Sequence, residues 1–173
     1  MPGTAGAATG GTAGTSTTAA TAPPTPQEST VITLAPGRPY RVLLVEDDLA
    51  DAMLIEEALE EKAQREIVRV SNGQAALERL REQGTPLPDL IVLDLNMPRM
   101  SGRELLDVIK VDENLKSIPV VVLTTSAAPD DVSGAYRRHA NAYVTKPVEL
   151  DDFTRAVQSI DSFYLDTALT PHD

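Results

Sequence analysis

The sequence contains no cysteine, and this absence excludes disulfide bonds and thiolate metal sites. It also lacks any apolar run approaching the roughly 20 residues that a membrane-spanning helix requires. Basic residues are few, since 15 lysines and arginines stand against 26 acidic residues and give a formal net charge of −11. A surface of that charge repels nucleic acid and anionic lipid, so we expect neither as a partner. No secretory signal is apparent, and the composition predicts a cytoplasmic protein.

The first part of the chain differs in composition from the rest. Residues 1–26 carry no charged side chain and are mainly alanine, threonine, glycine, serine and proline. Such a segment buries too little apolar surface to offset its ordering entropy, so we predict a disordered tail over residues 1–38. The alternative is an extension without a role, produced by an upstream start site. We predict one domain over residues 39–166 and a C-terminal tail over residues 167–173.

From Tyr40 onward, short apolar runs alternate with helical patterns. The runs predict strands that are buried on both faces, at residues 41–45, 66–70, 90–93, 120–123 and 142–144. The helical patterns predict helices at residues 49–62, 74–83, 103–111, from 129 onward, and 150–165. This alternation, with short connections, predicts an α/β fold with a doubly wound five-stranded parallel sheet. The ligand site of such a sheet lies beyond the carboxyl ends of its strands.

Residues with useful chemistry follow four of the five predicted strands. Glu46-Asp47-Asp48 follows the first strand, Asp94 the third, Thr124-Thr125 the fourth and Lys146 the fifth. In a parallel sheet all four groups converge at one edge. Any one aspartate after a strand is more often a helix N-cap or a turn residue. The arrival of the whole set at the same edge favours a functional site.

This set of residues predicts phosphoryl transfer to a carboxylate. Clustered carboxylates repel one another unless a cation lies among them, and oxygen ligands with room for water suit Mg²⁺, which we expect beside Asp47. A carboxylate can attack a phosphoryl donor and form an aspartyl phosphate. Asp94, at the end of the central strand, is the predicted nucleophile. Lys146 would supply a cation and Thr124 a hydroxyl donor to the phosphoryl oxygens.

The motifs resemble those of the receiver domain of two-component response regulators. The resemblance covers roughly residues 40–164 and rests on four motifs in order: Val45-Glu46-Asp47-Asp48, Asp94-Leu95-Asn96-Met97-Pro98 followed by Gly102, Thr124-Thr125-Ser126, and Tyr143-Val144-Thr145-Lys146-Pro147. Asp94 and Thr124 are 30 residues apart, and Thr124 and Lys146 are 22 apart. The resemblance implies a flavodoxin-like (CheY-like) sheet with strand order 2-1-3-4-5.

The resemblance implies a phosphoacceptor and its metal site. Asp94 would be phosphorylated by a histidine kinase. Asp47, Asp94 and the backbone carbonyl of Asn96 would bind Mg²⁺, and Glu46 would help through a water molecule. Glu46 stands where many receivers have aspartate, which lengthens its reach. The protein would be a phosphoacceptor rather than an enzyme, with slow Mg²⁺-dependent self-phosphorylation and autodephosphorylation.

The resemblance also implies a conformational switch. Thr124 and Lys146 would contact the phosphoryl group, and Tyr143 would turn inward as Thr124 moves toward it. Thr125 stands where a smaller residue is usual, and its bulk would restrict how Tyr143 repacks. The Lys146–Pro147 peptide bond is usually cis in this family.

The overall pattern is similar to single-domain bacterial regulators that are paired with phytochrome-type histidine kinases. Those relatives often form homodimers through the fourth helix, fifth strand and fifth helix. Phe163, Tyr164 and Leu165 continue the apolar character past the last core turn, which predicts a partner surface. The alternative is that they cover the edge of their own domain.

Other functions fit the residues less well. A haloacid dehalogenase-type phosphohydrolase also uses a strand-end aspartate with Mg²⁺, but it needs a second aspartate where this chain has Asn96, which cannot act as a general acid. Receiver-like modules that are never phosphorylated usually lose Asp94 or Lys146, and this chain keeps both. Nucleotide binding is disfavoured because no glycine-rich phosphate loop or Walker lysine follows the first strand.

Overall fold

The computed structural model describes residues 10, 11, 14, 38–62 and 64–169. The chain divides into two units, Met1–Ile32 and Thr33–Asp173, and the fold below belongs to the second unit. The predicted tail over residues 1–38 falls almost wholly outside the described residues, as do residues 170–173. No helix in the described part of the chain combines the length and the apolar character that crossing a bilayer needs.

Strands and helices alternate along the second unit, as the sequence pattern predicts. The strands are β1 (Tyr40–Val45), β2 (Arg65–Val70), β3 (Leu90–Leu93), β4 (Val120–Thr124) and β5 (Ala142–Thr145). The helices are α1 (Leu49–Glu60), α2 (Gly73–Arg81), α3 (Gly102–Ile109), α4 (Pro129–Arg137) and α5 (Leu150–Asp161). A π-helical segment, Ser162–Thr167, follows α5.

The five strands form one parallel sheet in the order β2-β1-β3-β4-β5, so the predicted fold class and strand order are confirmed. The strand order reverses between β1 and β3. In the register of the sheet, Val45 lies opposite Leu93, and Leu93 lies opposite Val122. The strands therefore end at nearly the same level, and the residues that follow them lie close together.

Two apolar clusters cover the two faces of the sheet because successive side chains of a strand point to opposite faces. On one face, residues such as Leu43, Leu93 and Val122 pack with side chains from α2, α3 and α4. On the other face, residues such as Leu44 and Val92 pack with side chains from α1 and α5. The strands β3 and β4 are buried along their whole length, which explains their continuous apolar sequence.

The end of the last helix differs from the prediction, which placed residues 150–165 in one helix. The α-helix ends at Asp161, and a turn closed by a hydrogen bond from Ala168 N to Phe163 O follows it. Residues five apart lie on different faces of an α-helix, whereas a π-helical turn brings them nearly above one another. Arg65 consequently bonds both Asp161 and Asp166.

The apolar residues in this segment separate into two environments. Leu165 is buried in the core, whereas the side chain of Phe163 is 57% exposed. Leu165 therefore covers the edge of its own domain, and Phe163 contributes apolar surface on the outside.

Candidate functional site

Backbone hydrogen bonds of the sheet bring the predicted site residues together. Asp94 N donates to Val45 O over 3.0 Å, and Lys146 N donates to Thr124 O over 2.8 Å. Glu46 N donates to Val70 O over 3.0 Å. Each of these bonds joins a residue just beyond one strand to the end of its neighbour. The sheet register therefore fixes the positions from which these side chains enter the site.

Three carboxylates lie together at this edge of the sheet. Glu46, Asp47 and Asp94 each offer an oxygen atom, and these atoms all lie within 4.8 Å of one another. Glu46 and Asp94 are buried, whereas Asp47 is exposed. Carboxylate oxygens with one side open to water fit a hard divalent cation that keeps part of its hydration shell. The donor set is therefore compatible with the predicted Mg²⁺.

Lys146 is the cation that faces these carboxylates. Its Nζ lies 2.6 Å from Glu46 Oε2 and 2.7 Å from Asp51 Oδ2. The distance from Nζ to Asp94 Oδ2 is 3.9 Å, which is too long for a hydrogen bond. The lysine is buried. Its ammonium is thus bonded to two acids and lies beside a third, which is the predicted phosphoacceptor.

Burial and ion pairing act in opposite directions on these groups. Burial alone would lower the pKa of Lys146, but the hydrogen bonds to Asp51 and Glu46 and the charge of Asp94 outweigh it, so its pKa is raised. Burial raises the pKa of Glu46, and its contact with Lys146 offsets only part of that effect. The direction that matters for the site is the raised pKa of Lys146, because it keeps the ammonium charged at neutral pH.

The three consecutive acids after β1 have separate surroundings. Glu46 Oε1 accepts a hydrogen bond from Asp48 N over 3.0 Å, so both of its carboxylate oxygens have partners. Asp48 is the N-cap of α1 and accepts from Asp51 N over 2.9 Å. The general expectation that an aspartate after a strand caps a helix therefore applies to Asp48. Asp47 is left as the exposed member of the acidic cluster.

Asn96 contacts both Asp94 and Thr124. Asn96 N donates to Asp94 Oδ1 over 3.4 Å, and Asn96 Nδ2 lies 3.5 Å from Thr124 Oγ1. Thr124 is fully buried at the end of β4. The structure thus brings Asp47, Asp94, Thr124 and Lys146 around one pocket, and the metal and phosphoryl roles of these residues stay predictions.

A hydrogen-bonded network links this pocket to α4. Tyr143 donates from its hydroxyl to Ser126 O over 2.8 Å, and burial raises the pKa of Tyr143. Ser126 Oγ donates to Asp131 Oδ2 over 2.5 Å, and Asp131 also pairs with Arg103 over 2.6 Å. Arg103 NH1 lies 3.5 Å from Asn96 Oδ1.

This network holds Tyr143 partly buried against the core cluster formed with α2, α3 and α4. Thr125, which we expected to restrict the repacking of Tyr143, is exposed.

The loop after Asp94 packs tightly against the starts of α2 and α3. A Cβ atom at Gly102 would collide with the carbonyl oxygen of Asp94 and with Leu95 Cα. A Cβ atom at Gly73 would lie 2.7 Å from Met100 O. The N-cap of α3 is Ser101, which forms a capping box with Glu104. Two glycines and a helix cap therefore fix the shape of the loop that carries Asp94.

Three residues near the site were not predicted from the sequence, and one peptide bond has a different isomer from the one expected. Asp51, Arg103 and Asp131 were not among the predicted site residues, although Asp51 follows the cap residue Asp48 by three positions and so lies in the first turn of α1. That spacing was the available signal. The expected cis Lys146–Pro147 bond is wrong, because this bond is trans, the lower-energy form of an X–Pro peptide.

Comparisons with known proteins identify the family of this fold. Residues 42–158 match the response regulator receiver domain family. Response regulator Rcp1 of Synechocystis is 46% identical over 138 residues, which cover 77% of this chain and 94% of Rcp1. Polar-differentiation response regulator DivK of Brucella anthropi is 32% identical over 121 residues, covering 70% of this chain and 95% of DivK.

Solved structures of response regulators are also similar to this chain. The Mn²⁺-bound form of Rcp1 superposes with a TM-score of 0.74 at 45% identity, covering 78% of this chain and 100% of that chain. The phosphorylated cyanobacterial phytochrome response regulator RcpA gives a TM-score of 0.75 at 44% identity, covering 78% of this chain and 99% of that chain.

Proposed function

Because this chain belongs to the response regulator receiver family, we propose that it accepts a phosphoryl group on Asp94 from a histidine kinase. The observation that carries the proposal is the surroundings of Asp94, which has Lys146 Nζ at 3.9 Å and two further carboxylates within 4.8 Å. The receiver domain that we propose spans residues 39–166. Response regulators are signalling proteins, so the result of phosphorylation is a changed surface.

The proposed reaction is a displacement at phosphorus. An oxygen of Asp94 forms a bond to the phosphorus of a phosphohistidine, and the phosphorus–nitrogen bond breaks with its electron pair left on the imidazole. Negative charge is spread over the phosphoryl oxygens during this step. Lys146 compensates part of that charge, and the hydroxyl of Thr124 donates to one phosphoryl oxygen. We expect slow self-phosphorylation from acetyl phosphate, with acetate as the leaving group, and slow autodephosphorylation.

Mg²⁺ is the proposed cofactor. Asp47, Asp94 and the backbone carbonyl of Asn96 would bind it, and Glu46 would assist through water. When bound, the ion supplies neutralisation of charge on the phosphoryl oxygens. Support comes from the exposed carboxylate of Asp47 beside two buried ones, and from the Mn²⁺-bound form of the relative Rcp1.

The proposed output is a change in the surface formed by α4, β5 and α5. Phosphorylation adds charge and acceptor oxygens at Asp94, which draw Thr124 and Lys146 inward. Thr124 is in the strand that leads to Ser126, and Ser126 O holds the hydroxyl of Tyr143. Movement of this strand end would release that hydroxyl and let Tyr143 turn inward.

The proposed partners are a phytochrome-type histidine kinase and a second copy of the chain. The relative RcpA is a cyanobacterial phytochrome response regulator, which supports the first partner. The exposed side chain of Phe163, just after α5, supports a homodimer through α4, β5 and α5 in the bacterial cytoplasm. Light-dependent phosphotransfer tests the kinase. Sedimentation of the chain and of Phe163→Ser tests the dimer, which the substitution should weaken.

Incubation with acetyl phosphate and Mg²⁺ tests the phosphoacceptor directly. Intact-mass spectrometry should show the addition of one phosphoryl group, which alkali removes. Asp94→Asn should abolish the addition, since an amide is a poor nucleophile. The matched control is Asp48→Asn, which keeps an N-cap side chain for α1 and should still be labelled. Normal labelling of Asp94→Asn would show that the acceptor lies elsewhere.

A further inference from the structure

The ammonium of Lys146 has a partner that none of the family motifs contains. Asp51 Oδ2 accepts from Lys146 Nζ over 2.7 Å, only 0.1 Å longer than the 2.6 Å bond from Nζ to Glu46 Oε2. Asp51 lies in the first turn of α1, so this bond joins that helix to the segment after β5. The side chain of Asp51 is 31% exposed, whereas that of Lys146 is 5% exposed. The contact therefore lies at the mouth of the pocket, with the lysine on its inner side.

The donors of the ammonium can be counted. An ammonium group has three N–H donors and no acceptor. Glu46 and Asp51 take one donor each, and a third is left. Asp94 Oδ2, at 3.9 Å, lies beyond hydrogen-bonding distance of Nζ. A phosphoryl group on Asp94 would extend further acceptor oxygens from that carboxylate, and these can come within reach of Nζ while both existing bonds remain.

We propose that Asp51 is a positioning residue for phosphoryl transfer, which holds the ammonium of Lys146 in an ion pair 3.9 Å from Asp94 and keeps it from forming a hydrogen bond to that carboxylate. This inference rests on the proposed function of Asp94. A lysine side chain has several rotatable bonds, and one acceptor at Glu46 leaves its ammonium free to turn. Two acceptors from separate elements, the end of β1 and the first turn of α1, fix its position.

Loss of Asp51 would harm transfer in two ways. The ammonium would be less ordered when the phosphoryl donor arrives. It would also be free to shorten the 3.9 Å ion pair with Asp94 to a hydrogen bond, which would occupy the oxygen that must attack phosphorus. If Asp51 acted only through its negative charge, its loss should instead speed the reaction, because a less negative pocket attracts an anionic phosphoryl donor more strongly. The direction of the rate change therefore separates the two explanations.

The experiment measures the rate of phosphorylation by acetyl phosphate with saturating Mg²⁺, using intact-mass time courses of the full chain. Asp51→Ala should lower the rate constant by about tenfold, the low end of what the loss of one hydrogen bond to a charged group costs. Asp51→Asn keeps an acceptor oxygen for Lys146 and should lower it by about threefold. Glu57→Gln removes a charge from the exposed side of α1 and should leave the rate unchanged. Thermal unfolding of each variant shows whether it is folded at the assay temperature.

A double-mutant cycle shows whether Asp51 acts through the lysine. In a Lys146→Ala background, Asp51→Ala should cause no further loss of rate. A rate that is unchanged or faster in Asp51→Ala would overturn the proposal, and so would a full further loss in the double variant. Failure of the unaltered chain to become labelled would instead refute the proposed function, so the two failures are distinguishable.

Discussion

Asp47→Asn should make the protein more stable without divalent cations and less stable than the unaltered chain with them. Asp47 lies within 4.8 Å of carboxylate oxygens of Glu46 and Asp94. Like charges at such distances destabilise the folded state, and an amide of the same shape removes the repulsion. The same substitution removes a charged ligand from the proposed Mg²⁺ site. Addition of Mg²⁺ should therefore make the unaltered chain the more stable of the two proteins.

The distance sets the size of the effect. Two unit charges 4.8 Å apart repel by about 0.9 kcal/mol in water and by about 3.5 kcal/mol at an effective dielectric constant of 20. Because Asp47 is exposed and salt screens it, a relief of about 1 kcal/mol is expected, which raises the unfolding midpoint by roughly 4 °C. Mg²⁺ at a hundred times its dissociation constant should stabilise the unaltered chain by about 2.7 kcal/mol.

The assay is thermal unfolding followed by circular dichroism, in a chelator and then in a Mg²⁺ titration. Asp48→Asn is the matched control, because it removes the neighbouring charge and keeps a side chain that caps α1. Its Mg²⁺ response should resemble that of the unaltered chain. The reasoning fails if Asp47→Asn is the less stable protein in the chelator. It also fails if Mg²⁺ stabilises all three proteins equally.

Two further predictions concern stability away from the acidic pocket. The hydrogen bond from Ser126 and the guanidinium of Arg103 lower the pKa of Asp131 from its ordinary value of 3.8. The stability that the Asp131 carboxylate contributes is therefore present above that pH and is lost as the pH falls through the lower folded pKa. The deficit in unfolding midpoint of Asp131→Asn should shrink on acidification, and a constant deficit would contradict this. Asp161→Asn leaves two cations short of a buried partner and should cost about 3 kcal/mol in urea unfolding. Asp152→Asn, which breaks an exposed pair on the same helix, should cost less than about 1 kcal/mol, and equal losses would refute the distinction.

Much of the fold could be predicted from local sequence patterns because the central strands are apolar along almost their whole length. Leu90–Leu93 and Val120–Thr124 are buried throughout, and short continuous apolar runs are typical of central parallel strands. The end of α5 could not be predicted in the same way. Its change to a π-helical turn coincides with ion pairs that Arg65, in β2, forms with Asp161 at the end of α5 and with Asp166 in the turn. Contacts between residues about 100 positions apart leave no periodic signal in the sequence.

The site residues likewise fall into those that the sequence could place and those that it could not. Asp94, Thr124 and Lys146 could be placed at one edge because each directly follows or ends a strand, and parallel strands end together. Asp51 lies in the first turn of α1, and its spacing from Asp48 indicates only that position, not that Lys146 is its partner. The link from Arg103 to Asp131 depends on how α3 and α4 pack beside each other. The partners of site residues that lie on helices could therefore be identified only from the structure.

Two glycines limit how the loop after Asp94 can be altered, Gly102 at the start of α3 and Gly73 at the start of α2, which packs against that loop. Neither position has room for a Cβ atom, because at Gly102 it would meet the backbone of Asp94 and Leu95, and at Gly73 it would meet Met100. Changes in reactivity, whether by selection or by engineering, are then confined to side chains that point away from those contacts, such as Asn96, which is exposed. Redesign of the proposed phosphoacceptor site would therefore keep both glycines and vary the amide of Asn96 first.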